Sequence, residues 1–417
     1  MDKSIVHKDV DVAVIGGGPA GLSAAIKAKE YGLEKVVVIE RGEHLGGLLD
    51  QCIHNGFGLT YFGEDLTGPE YAARFISKAE ELGVESSLRC TVLRLSPERK
   101  MLLSDDKGLT ELSAGAVVLA MGCRERTRES LNISGTRPSG IFTAGTAQRY
   151  VNIYGYVPGK EAVILGSGDV GMIMARRLSL EGVKVKAVVE VLPYAGGLIR
   201  NEVQCLQDFD IPLMLEHTVT KIHGDERLEA VTIARVDKGL NPIPGTEETI
   251  TCDTLLISAG LIPENELSRM AGIKLDPLTG GAVVDSLMQT SVAGIFAGGN
   301  VLHVNDLVDN VTTEAEIGGT SAASFAAGNL KPMALKVNLK AGGNMRYVVP
   351  QMVTFGEEVV ISMRAREPAE KIHIRFGNIV NKYFRIIKPG QMVRLEISSS
   401  AWAKMVYDHR ELIVSCE

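Results

Sequence analysis

Of the six cysteines in the sequence, no two stand in a C-x-x-C pair. Such scatter argues against a disulfide framework, a zinc site or a cysteine-ligated iron–sulfur cluster, so no metal is expected. Aromatic residues are scarce, at 5%. The net charge is −7 and no Lys/Arg-rich stretch interrupts it. A nucleic-acid partner, which needs a basic face against phosphates, is therefore not expected. No apolar run approaches the roughly 18 residues that a membrane helix requires. The first ten residues are polar and lead straight into a strand, without a signal-peptide pattern, so the cytoplasm is the expected compartment.

Glycine, by contrast, is abundant: 45 residues in 417. This bias suits an α/β protein with many tight turns, and the length calls for two or three domains. The first turn is informative. An apolar strand at residues 11–15 meets Gly16-x-Gly18-x-x-Gly21, then a helix over about 20–31, then a strand at 35–39 ending on Glu40. In such a βαβ unit the first glycine makes the turn and the second lets backbone approach a pyrophosphate. The third allows close helix–sheet packing, and the terminal acid accepts bonds from ribose hydroxyls. The helix N-terminus adds free N–H groups and partial positive charge.

The same unit recurs. Gly166, Gly168, Gly171 and Glu190 follow Gly16, Gly18, Gly21 and Glu40 at one offset of 150 residues, with a strand at 162–165, a helix at 172–181 and a strand at 183–189. A repeat that keeps both glycines and acid in register points to two dinucleotide sites. In the second, Glu190 favours NAD over NADP, since a carboxylate about 4 Å from a 2′-phosphate repels it by ~4 kcal/mol per unit charge at an effective dielectric of 20. The bland alternative is a degenerate second unit that binds nothing.

Two further apolar strands, 116–122 and 254–260, each end in glycine and follow alternating, β-like stretches at 87–95 and 228–236. A helix rich in small residues is expected over 314–327. Beyond residue 329 the sequence reads as short alternating strands (347–354, 357–363, 371–376, 391–397). The expected fold class is α/β, with two Rossmann-like dinucleotide-binding domains and a small C-terminal all-β domain. The expected boundaries are 1–125 with 286–330 for a discontinuous FAD domain, 126–285 for an NAD domain, and 331–417 for the β domain.

The first fingerprint, Ala120-Met121-Gly122, the second fingerprint and Gly294-Ile295-Phe296-Ala297-Gly298-Gly299-Asn300 stand in the order of the flavoprotein reductases with two dinucleotide domains, whose folds resemble glutathione and thioredoxin reductases. That resemblance covers about residues 10–327. The run at 46–58, Gly-Gly-Leu-Leu-Asp-Gln-Cys-Ile-His-Asn-Gly-Phe-Gly, with Gly166-Ser167-Gly168-Asp169-Val170-Gly171 and Asn300-Val301-Leu302-His303, is similar to the FAD/NAD subunits of multi-component dehydrogenases. Hydrogen cyanide synthase, opine oxidase and bacterial proline dehydrogenase have such subunits, and the similarity is greatest to the branch associated with glycerol-3-phosphate oxidation.

The resemblance implies that Gly16, Gly18, Gly21, Glu40 and Arg41 hold the ADP half of FAD. It further implies that Gly47 approaches the flavin side, Val92 the adenine through its backbone, and Gly122 the cofactor's edge. Gly299 and Asn300 would meet ribitol and pyrophosphate, Asn300 standing where the family has Asp. The implied NAD set is Gly166, Gly168, Gly171, Glu190 and Gly260. The cysteine pair of disulfide reductases is missing. Cys52 and His54 are the catalytic candidates near the flavin: Cys52 as a redox thiol or a small apolar residue, His54 as a proton donor or a ligand of loop backbone. His303, Asp306 and Asp309 are expected to order a loop. Arg124, Arg126 and Arg128 form either an anion clamp or a solvated charged loop. The function implied is hydride transfer between NAD(H) and FAD, with partner dehydrogenase and electron-transfer subunits in an oligomer or hetero-complex. The alternatives are a self-contained NADH oxidase using oxygen or quinone, or a flavoprotein scaffold or sensor with a silent NAD site.

Overall fold

Four consecutive β-branched residues, Val36, Val37, Val38 and Ile39, offer no polar side chain to water, so the strand they form lies inside a parallel sheet with both faces covered. In the computed structural model, which describes residues 6–377, 380–403 and 411–416, strand β1 (Val6–Ile15) leads through the first glycine turn to helix α1 (Pro19–Glu30) and strand β2 (Val36–Ile39). On the other edge of β1 lies β3 (Gly108–Leu119), also parallel, with Val12 opposite Ala116 and Ile15 opposite Leu119. All three strands end at one edge, so their C-terminal loops gather there.

The second βαβ unit comprises β4 (Glu161–Leu165), α2 (Asp169–Leu180) and β5 (Lys184–Glu190), with β6 (Thr254–Ile257) in the place that β3 takes in the first. Met172, Ala175 and Leu178 of α2 bury one face of this sheet. Val219, Val231 and Ile233, from an antiparallel meander (His217–Gly224, Leu228–Arg235, Glu248–Thr251), bury the other.

Strand β7 (Ile295–Ala297) then returns to pair in parallel with β3, and helix α3 (Val308–Ala326) follows. Its small residues let it lie against α1: a Cβ on Gly319 would overlap the backbone of Ala24. The helix starts at Val308, earlier than the hydrophobic pattern suggests, because Asp309 in its first turn is fully engaged by backbone amides from elsewhere in the chain.

By its contacts the chain forms two units, Met1–Cys123 with Pro263–Glu417, and Arg124–Ile262. Residues 263–285, which the sequence reading assigns to the NAD domain, lie in the first unit. There Ala271, Ile273, Ala282 and Val284 share a core with Ala13 and Ile15. The C-terminal region is β-rich, in sheets of five and three strands around Trp402 and Phe376, with one short helix at Ser399–Trp402. The strand expected over 347–354 is two, Met345–Val349 and Met352–Thr354, parted at Pro350, which has no N–H to give a ladder. The stretch at 87–95 is likewise broken, into Glu85–Ser87 and Thr91–Leu95, where Arg89 adopts a positive φ and donates its N–H to Gly42 O.

Candidate cofactor site

At the first turn Gly16 has φ +108°, and a Cβ there would overlap Ala120 O at the end of β3. A Cβ on Gly21 would overlap Gly16 O, so helix and strand touch backbone to backbone. Gly18 differs: the nearest atom to its missing Cβ is Gly47 Cα at 3.9 Å. Gly122, beyond β3, faces open space. These two bare positions make the cradle that a pyrophosphate and a ring edge require, so the residues present fit a dinucleotide.

Glu40 closes the turn from the end of β2. Its Oε2 accepts the Gly17 N–H at 2.7 Å and its Oε1 the Gly42 N–H at 2.6 Å. Each carboxylate oxygen thus keeps a second lone pair, matching a ribose diol. Arg41 beside it is exposed. Cys90 N–H donates to Glu40 O, which brings the strand holding the half-buried Val92 alongside. Gly299 has φ +77° and donates its N–H to Glu314 Oε1 at 2.7 Å. Asn300 Oδ1 accepts the Asn305 N–H at 2.9 Å, while its Nδ2 lies 3.7 Å from Cys123 Sγ. Asn300 therefore anchors its own loop. Gly16, Gly18, Glu40, Gly47, Gly122, Gly299 and Asn300 come together at the C-terminal edge of the first sheet.

Cys52 ends the short 3-10 turn Gly47–Gln51, with Sγ 3.4 Å from Leu48 O. Burial, helped by the charge of Asp50, pushes its thiol up to about 12. His54 is half-buried, its Nδ1 3.0 Å from Asn55 O and its ring against Phe57. The next loop hangs on α3: Asp309 accepts N–H bonds from Gly58, Thr60 and Tyr61 and the Thr60 hydroxyl. Buried His303 bonds through Nε2 to Glu314 Oε2 at 2.7 Å, and among the described residues its buried Nδ1 has no partner. Asp306 pairs with Arg364 of the C-terminal region, which also donates to Val304 O at 2.9 Å, Pro389 O at 3.0 Å and the Tyr347 hydroxyl at 3.1 Å. Nothing in the sequence near Asp306 announces this partner, which comes from a strand 58 residues on.

At the second turn a Cβ on Gly166 would overlap Ser258 O, and one on Gly171 would lie 2.6 Å from Gly166 O. Gly168 again faces space, with Ser258 at 3.8 Å. Gly260 is exposed, its carbonyl accepting the Arg126 N–H at 3.1 Å. Arg124 and Arg126 are exposed, whereas Arg128 is buried and caps Ile133 O, Gly135 O and Thr136 O. Arg128 is thus a structural cap within its own loop. Glu190 is buried, with three donors: Ser167 N–H at 2.8 Å, the Ser167 hydroxyl at 2.6 Å and Leu192 N–H at 2.9 Å. A further signal was present in the sequence: Gly46-Gly47-Leu48 returns as Gly196-Gly197-Leu198 at the same 150-residue offset. Both segments fold back onto their glycine turns.

Residues 10–318 match the family described as pyridine nucleotide-disulphide oxidoreductase. The chain belongs to this family. Pyridine nucleotide-disulphide oxidoreductases use FAD and NAD(P)H, and the α/β fold of this chain agrees with that membership. It is 26% identical over 344 residues to one of the subunits of opine oxidase from Agrobacterium tumefaciens, covering 77% of this chain and 66% of that one. To the HcnB subunit of hydrogen cyanide synthase from Pseudomonas protegens it is 26% identical over 284 residues, covering 63% and 58%. The chain thus spans less than two thirds of the length of these curated relatives. The crystal structure of T. acidophilum thioredoxin reductase superposes with a TM-score of 0.62 at 25% identity, covering 78% of this chain and all of that one. Among the described residues no helix is long and apolar enough to cross a membrane.

Proposed function

We propose that the first turn holds FAD, that the second holds NAD(H), and that the chain passes a hydride between them as the electron-transfer subunit of a multi-component dehydrogenase. The observation that carries this reading is the duplicated turn, with glycines and acid in one register and a bare glycine facing space in each copy. The cofactors supply the redox chemistry when bound, while the protein orients them and excludes water. Glu40 takes both hydroxyls of the FAD ribose, and Gly18, Gly47 and Gly122 leave room for the rest. Glu190 directs the second turn toward an unphosphorylated ribose.

Among the described residues no cysteine is in a disulfide, and Cys52 keeps its proton at neutral pH, so reduced flavin has no disulfide there to pass electrons to. An external acceptor or donor is needed, and two of the relatives above are subunits by name. The similarity at 46–58 and 300–303 nominates glycerol 3-phosphate as the substrate of a partner, in the cytoplasm. The test is a visible spectrum of the purified protein and an anaerobic titration with NADH. Flavin bands that bleach support both turns. Bands indifferent to NADH refute the second, and a colourless protein that cannot be reconstituted with FAD refutes the first. Steady NADH turnover in air by this chain alone would replace the multi-component reading with that of a self-contained oxidase.

A further inference from the structure

The two turns share a register, so each departure between them is a controlled comparison. Ser167 stands where the first copy has Gly17, and Asp169 where it has Pro19. Both substitutions act on the segment at 196–198. In the first copy the corresponding strap hangs from one bond, Gly46 N–H to Gly17 O at 2.9 Å, and Gly47 is exposed. In the second copy Gly196 N–H donates to Ser167 Oγ at 2.8 Å, Gly197 N–H to Ser167 O at 3.0 Å, and Leu198 N–H to Asp169 Oδ1 at 2.8 Å. Gly197 is buried, so close to the start of α2 that a Cβ on it would lie 2.9 Å from Asp169 N.

The same hydroxyl also changes the acid. Glu40 receives one donor on each oxygen and keeps two lone pairs for a ribose diol. Glu190 Oε2 receives both the amide and the hydroxyl of Ser167, leaving one lone pair, on Oε1. A dinucleotide entering this turn must therefore compete with Ser167 for the carboxylate, beside a segment bonded at three points.

Resting on the reading of the second turn as the NAD(H) site, we propose that Ser167 sets the affinity of that site, holding it weak by occupying Glu190 while it fixes the 196–198 strap beside the turn. Replacing Ser167 with glycine recreates the first copy: the amide at 167 still reaches Glu190, one lone pair is released, and Gly196 can drop to the backbone carbonyl as Gly46 does.

Equilibrium binding of NAD⁺ and NADP⁺ to the FAD-loaded protein, by calorimetry, tests this in the wild type, Ser167→Gly and Ser167→Ala. Ser167→Ala keeps the Cβ and guards against loss of fold, which the flavin spectrum and melting temperature report. Both variants are expected to bind NAD⁺ about tenfold more tightly, the gain of one charge-assisted bond. NADP⁺ should remain the weaker ligand because Glu190 stays. Half-saturating NADH for anaerobic flavin reduction should fall in step, without loss of limiting rate, a change that a merely structural role for Ser167 would not produce. Equal or weaker NAD⁺ binding in both variants, with a wild type that binds, overturns the role of Ser167 and leaves the second site standing. No binding of either nucleotide by any of the three proteins overturns the second site itself, and the inference with it.

Discussion

A thiol near the proposed flavin turn invites a redox role, yet the surroundings of Cys52 oppose one. With its thiol pushed up to about 12, the thiolate is a negligible fraction at pH 7, so Cys52→Ala is expected to leave anaerobic flavin reduction by NADH unchanged. The same shift has a consequence for stability. The folded chain keeps a proton that the unfolded chain releases near pH 8.5, the ordinary range of a thiol. The contribution of this group is therefore present in full below about pH 8.5 and is lost as pH rises toward 12. Urea midpoints at about pH 8 and about pH 10 should fall more steeply for the wild type than for Cys52→Ala. Gly299 is constrained differently: it combines φ +77° with a missing Cβ that would lie 2.9 Å from Val311 Cγ1 and 3.0 Å from Ala20 Cβ. Gly299→Ala is expected to lose about 1–3 kcal/mol of stability and much of its flavin, read by thermal melting and by absorbance. At this scale the glycines and terminal acids were legible because they recur in one register at a fixed offset of 150 residues. The near-saturation of Glu190 was not, because it depends on where one serine hydroxyl points.

Elements carry the links that connect the C-terminal strands to the loop after Gly299. Arg364 is mostly buried, pairs with Asp306 and caps two carbonyls, and Arg394 reaches Asn310 at 2.5 Å near the start of α3. Arg364→Ala removes the cation beside the buried Asp306 carboxylate, which keeps the Met392 N–H, and should cost about 3 kcal/mol in urea unfolding. Pairing Arg364→Met with Asp306→Leu should recover only a part of that loss, since it removes the buried charges but leaves Val304 O, Pro389 O and the Met392 N–H without these partners. Strands β2, β4 and β6 could be read from the sequence because their apolar runs admit no other environment. The early start of α3 and the break at Arg89 could not, since distant amides and carbonyls decide them. The assignment of 263–285 fails for a related reason: its buried residues are too scattered to show which core they enter.

For the molecule as a whole, two separate cores bear two similar turns, so damage to one should spare the other. Glu40→Ala is expected to weaken FAD binding on the order of 100-fold, through two lost ribose bonds. Glu190→Ala should leave flavin content intact, raise half-saturating NADH about tenfold and erode the preference for NAD over NADP. Fluorimetric FAD titration and anaerobic NADH titration of both variants would show whether the effects separate; an unaltered nucleotide preference in Glu190→Ala would refute the assignment of the second turn. The close approach of Gly319 to Ala24 bears also on how the chain is made. The unit Arg124–Ile262 is contiguous and complete as soon as its last strand leaves the ribosome, whereas α1 waits for a helix that emerges some 300 residues later. During synthesis the middle of the chain is thus free to fold first, and the protein becomes able to retain its flavin only once α3 has been translated.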